Sequence, residues 1–142
     1  MHVRTAIRDQ VYALLLPLVS GRVYKARLYP LAEAELPAIL IWCGDEEIED
    51  AGIMSPRQYD RRMQLFIEIR ASVSDDLDAT LNAIALDVEK ALAPDPQLAG
   101  TAFDVALVSL AFQQSGDGKA PIGALRLEYA AIYRVTADAP EI

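Results

Sequence analysis

The sequence predicts an α+β fold: a mainly antiparallel sheet with two helices packed on one face, in the order α-β-β-β-α-β-β, with a long projecting hairpin. Three observations carry this. Apolar residues recur at helical spacing in two segments, near the start and from Leu77 to Leu92. Two others, Arg57 to Ala71 and Ala124 to Val135, alternate with the period of a strand. Most strands then follow one another directly, which suits hairpins better than the crossovers of a parallel sheet.

In chain order, Val3, Ile7, Val11, Leu14 and Leu18 give the first helix its apolar face, and Pro17 and Gly21 end or distort it. His2, Arg4 and Arg8 ahead of an apolar run are faintly signal-like, but Asp9, Gln10 and the helical spacing favour a core helix. Val23 to Leu28 reads as a short strand, with Tyr24, Ala26 and Leu28 on one face, and Leu28 to Leu36 as a loop. After Pro37, the run Ala38 to Trp42 is apolar without alternation, as in a central strand covered on both faces. Cys43 to Pro56 holds five acids, Asp45, Glu46, Glu47, Glu49 and Asp50, and is expected to be an exposed, mobile segment.

The alternation from Arg57 sets Tyr59, Arg61, Met63, Leu65, Ile67, Ile69 and Ala71 on one side. Unbroken, it would span roughly 50 Å at about 3.4 Å per residue. Only its second half has an apolar face, so the first half is expected to project as a hairpin arm tipped by the acidic segment. Ser74 or Asp75 can cap the second helix, whose stripe is Leu77, Leu81, Ile84, Val88 and Leu92. Lys90, Pro94 and Pro96 close it. Phe103 to Phe112 and Ala124 to Val135 are expected to pair, joined by a long loop from Gln113 to Gly123. The expected core is Leu65, Ile67, Ile69, Leu77, Leu81, Ile84, Leu127 and Tyr129.

At 142 residues and 53% hydrophobic content the chain is expected to be one domain, 1–142, able to bury a core without staples. One Cys and one His supply neither a disulfide framework nor a structural zinc site. Thirteen basic against 21 acidic residues give a charge of −8, which disfavours binding by phosphate neutralisation. No apolar run approaches the roughly 20 residues that span a bilayer.

Catalytic chemistry has little to work with. His2 and Cys43 are not paired in the sequence, so nucleophilic catalysis lacks its base. Gly116-Asp117-Gly118-Lys119 lacks the remaining elements of a phosphate loop. The acids near Asp45 do not follow the EF-hand pattern, and solvated charge is the simpler reading. No enzyme, metal or cofactor is expected. Five acids followed by Arg57, Arg61 and Arg62, with Tyr59 between, do form a two-signed arm that copies arranged head to tail could use as a subunit or partner interface.

Several segments together resemble the phage tail terminator family, the minor tail protein U type of long-tailed phages. They are Leu36-Pro37-Ala38-Ile39-Leu40-Ile41-Trp42 leading to Asp45-Glu46, then Arg61-Arg62 with Leu65-Phe66-Ile67-Glu68-Ile69, then Asp75-Asp76-Leu77, and last the strand with Leu127, Tyr129 and Tyr133. The resemblance covers roughly Ile7 to Val135. It implies a subunit of a homo-hexameric ring that caps the tail tube, stops its polymerisation and offers a surface for head joining. The implied partners are the tail tube protein and a head-completion protein, with DNA passing through without sequence-specific binding. The implied location is the virion tail, after assembly in the host cytoplasm. An α+β ligand-binding regulatory module is the alternative, and a metal-dependent enzyme using the acids near Asp45 a third reading.

Overall fold

The computed structural model describes residues 1–25, 36–53, 55–72, 76–115 and 122–141. Helix α1 (Val3–Leu15) is followed by β1 (Val23–Tyr24), β2 (Ala38–Asp50), β3 (Gln58–Ser72), α2 (Leu77–Leu92), β4 (Asp104–Ser115) and β5 (Ile122–Thr136). The five strands form one sheet in the order β1-β2-β3-β5-β4. β1 runs parallel to β2 and every other pairing is antiparallel. The predicted α+β class and element order therefore hold.

One face of the sheet carries both helices. α1 lies over β1 and β2, α2 lies over β3 and β5, and the helices touch each other. Alternation explains which side chains meet them. Met63, Leu65, Ile67, Ile69 and Ala71 of β3 and Leu125, Leu127, Tyr129, Ala131 and Tyr133 of β5 are all buried on that side. Each large aliphatic so placed contributes about 1.5–3 kcal/mol of burial free energy. Of the expected core, Leu65, Ile67, Ile69, Leu81, Leu127 and Tyr129 are buried, while Leu77 and Ile84 pack half-buried against its edge.

α1 buries Val3, Ile7, Val11 and Leu15, whereas Leu14 is exposed. Leu15 thus takes the place expected of Leu14, because the four-residue step continues from Val11, while Leu18 packs half-buried against the core as expected. Pro17 follows the helix, and the chain turns through Leu18–Gly21 with Val19 and Ser20 at φ 45° and 56°. In β1 it is Val23, not Tyr24, that is buried. The rest of that expected strand, with Ala26 and Leu28, and the loop up to 35 lie outside the described residues, as do Ser74 and Asp75. Asp76 caps α2 instead, its Oδ1 accepting from the Ala79 N–H at 3.1 Å.

The acidic segment departs from expectation. Cys43 to Asp50 is not a loop but the second half of β2, paired with β3 from Cys43↔Leu65 to Asp50↔Tyr59. Nor does the first half of β3 stand free on its other side: β5 pairs with it along its whole length, from Gln58↔Thr136 to Ser72↔Ile122. Backbone pairing on both sides stabilises a strand half that its side chains alone would not. β4 and β5 also extend further than expected, to Ser115 and from Ile122, and 116–121 lies outside the described residues.

Candidate assembly surface

Strict alternation after Ile39, Ile41 and Cys43 would turn Asp45 toward the helices. A bulge between Cys43 and Glu46 shifts the phase, so Glu46 faces Met63 on the helix side and Asp45 is exposed. The shift needs Gly44. A Cβ there would stand 2.5 Å from a ring carbon of Phe66 and 3.0 Å from Gln64 Oε1. The bulge is pinned from two sides: Gln64 Oε1 accepts from the Asp45 N–H at 3.0 Å, and Arg4 of α1 donates to the Gly44 carbonyl at 2.8 Å.

Glu46 is consequently unlike its neighbours in the acidic run. Its side chain is only 8% exposed, and its carboxylate accepts from the Tyr133 hydroxyl at 2.6 Å and from Arg61 at 3.1 Å, with an Arg4 nitrogen 3.4 Å away. Two guanidinium groups and a phenol replace the water that burial removed. Burial first, and then the hydrogen bond to Glu46, push the Tyr133 phenol far above its ordinary pKa. Arg61 Nε is buried with no hydrogen-bond partner among the described residues.

The other candidate residues sit along the same hairpin. Asp50 and Arg57 form an exposed ion pair at 3.1 Å across its turn, beside the Ala51 N–H donated to the Gln58 carbonyl at 2.9 Å. Glu47 lies opposite Arg62, and both are exposed. Glu49 lies opposite Asp60, a like-charged pairing relieved on the other side. There Arg134 of β5 grips Asp60 with two bonds of 2.6 and 3.1 Å and holds its carboxyl below the usual pKa. Tyr59 packs against the core, with the Arg61 guanidinium 5.8 Å from its ring centre. The expected arm residues thus come together, but Arg57 and Arg61 meet acids of their own subunit. Tyr133, Arg4 and Arg134, the remote partners, could not be assigned from the sequence, since nothing in it sets the register of β5 on β3 or the seating of α1 on β2.

On the face opposite the helices, Glu68 is 3% exposed and bonded to Arg70 at 2.7 Å and to Arg126 at 3.0 Å. Arg126 also lies over Trp42 and Phe66, which stack with ring centres 5.4 Å apart. The sheet's last strand is different again: Leu107, Val108, Leu110 and Phe112 of β4 are all exposed.

His2 and Cys43 have structural work. His2 Nδ1 accepts the Arg4 N–H at 3.0 Å as the cap of α1, and the Cys43 Sγ lies 3.6 Å from the Arg4 carbonyl it bonds. Burial pushes the Cys43 thiol pKa up, away from the reactive thiolate. Among the described residues no three His, Cys, Asp or Glu side chains converge as a metal site would require, and no helix is long and apolar enough to cross a membrane.

No protein-family model matches the sequence, and no curated protein matches it. Among solved structures, the chain is similar in fold to a chain of the "virion of native gene transfer agent (GTA) particle". The TM-score is 0.58 at 17% identity, covering 92% of this chain and 97% of that one. The likeness therefore spans nearly the whole length of both chains.

Proposed function

We propose that this chain is a structural virion subunit of the phage type, and more specifically a tail-terminator-like protein. In this reading copies of it form a hexameric ring that caps the tail tube, ends its growth and offers the surface to which the head joins. The observation that carries the reading is the near full-length likeness in fold to a chain of a gene transfer agent virion, two-way coverage being 92% and 97%. The described residues of the terminator-like segments lie on or directly before β2, β3, α2 and β5, elements that build the core. A ring of chains each carrying −8 would present DNA with a channel that repels phosphates, suiting passage without capture. The chain acts as a building block and not as an enzyme.

The test mixes the purified chain with polymerising tail-tube subunits from the same source and measures tube length by electron microscopy. Short tubes bearing a ring of density at one end are expected. Tubes of unchanged length would overturn the terminator role, and a chain that never forms rings would overturn the ring itself.

A further inference from the structure

Among the described residues, one strand edge of the sheet is without protection. Isolated edge strands invite pairing with another chain, and single-copy proteins blunt them by shortness, charge, proline or a covering element. β1 is two residues long, and the free edge of β2 beyond it carries five acids. β4 is a twelve-residue edge with a single charged residue, Asp104, and no proline. Its bulge between Leu107 and Ser109 leaves Ser109–Ser115 in regular register with β5.

The side chains follow the backbone. Leu107, Leu110 and Phe112 lie opposite Tyr129, Leu127 and Leu125, so they point to the helix side of the sheet, yet they are 37%, 52% and 48% exposed. α2 covers β3 and β5 and leaves β4 largely bare. A shallow groove lies between α2 and β4, lined by Glu89 and Ala93 on one side and Val105 and Leu107 on the other. Leu86, 51% exposed, precedes those helix residues on the same side of α2.

We propose that the outer edge of β4, with Leu86 of α2, is the surface through which one copy of this chain holds the next. The inference rests on the reading that the chain works as an assembly of copies, and it names the contact that closes it. The occupant follows from charge and size. Two subunits of charge −8 repel, and the approach that costs least is along a strip without charge; β4 supplies that strip, whereas the arm's Arg57 and Arg61 already meet Asp50 and Glu46 of their own subunit. Twelve residues give about 40 Å of edge, and the sheet and helix layers about 20 Å of height. The product, on the order of 800 Å² per partner, is that of a standard stable interface.

Light scattering after size exclusion, across a concentration series of the full chain, tests this with L110K and, as a control on the arm, R57A. Wild type and R57A are expected to assemble alike. L110K, folded by circular dichroism, should need at least tenfold more protein to do so. L110K assembling as wild type does would overturn the β4 contact and leave the ring reading standing. A wild type that stays monomeric throughout would overturn both and leave β4 to a different chain. If L110K does not fold, hydrogen exchange on wild type decides: β4 amides must slow on assembly, and unchanged exchange there would reject the contact.

Discussion

The sheet ends in two unlike edges. The distal half of β2 is densely charged, and two of its five acids are held by their own subunit: Glu46 by Arg4, Arg61 and Tyr133, and Asp50 by Arg57. β4 has almost no charge, and among the described residues no element covers its exposed Leu110 and Phe112. The contrast shows that charge density does not identify a contact surface. A charge already paired within a subunit serves folding, and a partner gains little from it; exposed apolar surface on an open edge still has its burial free energy to release. Substitutions at the paired acids of the β2 edge should therefore change stability, and substitutions at β4 should change association.

The largest expected effect is at Glu46. Glu46→Ala strands two guanidinium groups in a partly buried site and should cost about 3–5 kcal/mol in urea unfolding. Glu47→Ala, one residue on but exposed, should stay within about 0.5 kcal/mol. Equal costs would erase the distinction drawn between the members of the acidic run. Tyr133→Phe removes the hydroxyl that bonds the Glu46 carboxylate, and its expected cost is about 1.5–3 kcal/mol.

On the β4 side, alkaline unfolding sharpens the comparison. Burial, with Glu89 nearby, raises the Tyr129 phenol from 10.0 to about 12, so the folded chain favours the neutral form. That stability is fully present below pH 10 and is lost as pH rises through about 12, an effect on the order of 2 kcal/mol. Unfolding midpoints measured from pH 9 to 12 should fall, and Tyr129→Phe should flatten the fall. Tyr133, whose pKa is also raised, should add to it in the same direction.

Asp60 acts in the opposite range and more weakly. Its carboxyl is held down by Arg134, so its contribution is present above its ordinary pKa of 3.8 and fades as pH falls below that value. An Asp60→Asn chain whose acid unfolding profile matches wild type would show that this exposed pair is idle. Smallest for stability is Leu110→Ser, expected within about 0.5 kcal/mol because the side chain is half exposed, while association weakens. A stability loss of several kcal/mol there would mean that β4 is a core strand and not a surface awaiting a partner.

Much of this molecule follows from period alone. Alternation located β3 and β5 within a few residues, since side chains on a strand must face opposite ways whatever its neighbours. The unbroken apolar run Ala38–Trp42 announced a strand buried on both faces, and Ala38 to Ile41 are inaccessible to solvent while Trp42 is half-buried. Helical spacing likewise placed Leu81, Val88 and Leu92 against the sheet. The acidic run misled because acids favour exposure and are poor strand formers locally; pairing with β3, itself secured by β5 on its other side, overrides that preference.

The set of elements, their order, the apolar faces that form the core and the net charge of −8 are legible in the chain, because each depends on neighbours along it or on composition. Which charges are paired and which edge is open depend on the assembled sheet. The bulge at Gly44 selects Glu46 over Asp45 for burial, and β5's register brings Tyr133 to it across 87 positions of sequence. The strand order leaves β4 outermost with α2 too far inward to cover it. Such contacts join residues remote in sequence, and their free energy depends on a register and a layer order that the whole sheet settles together.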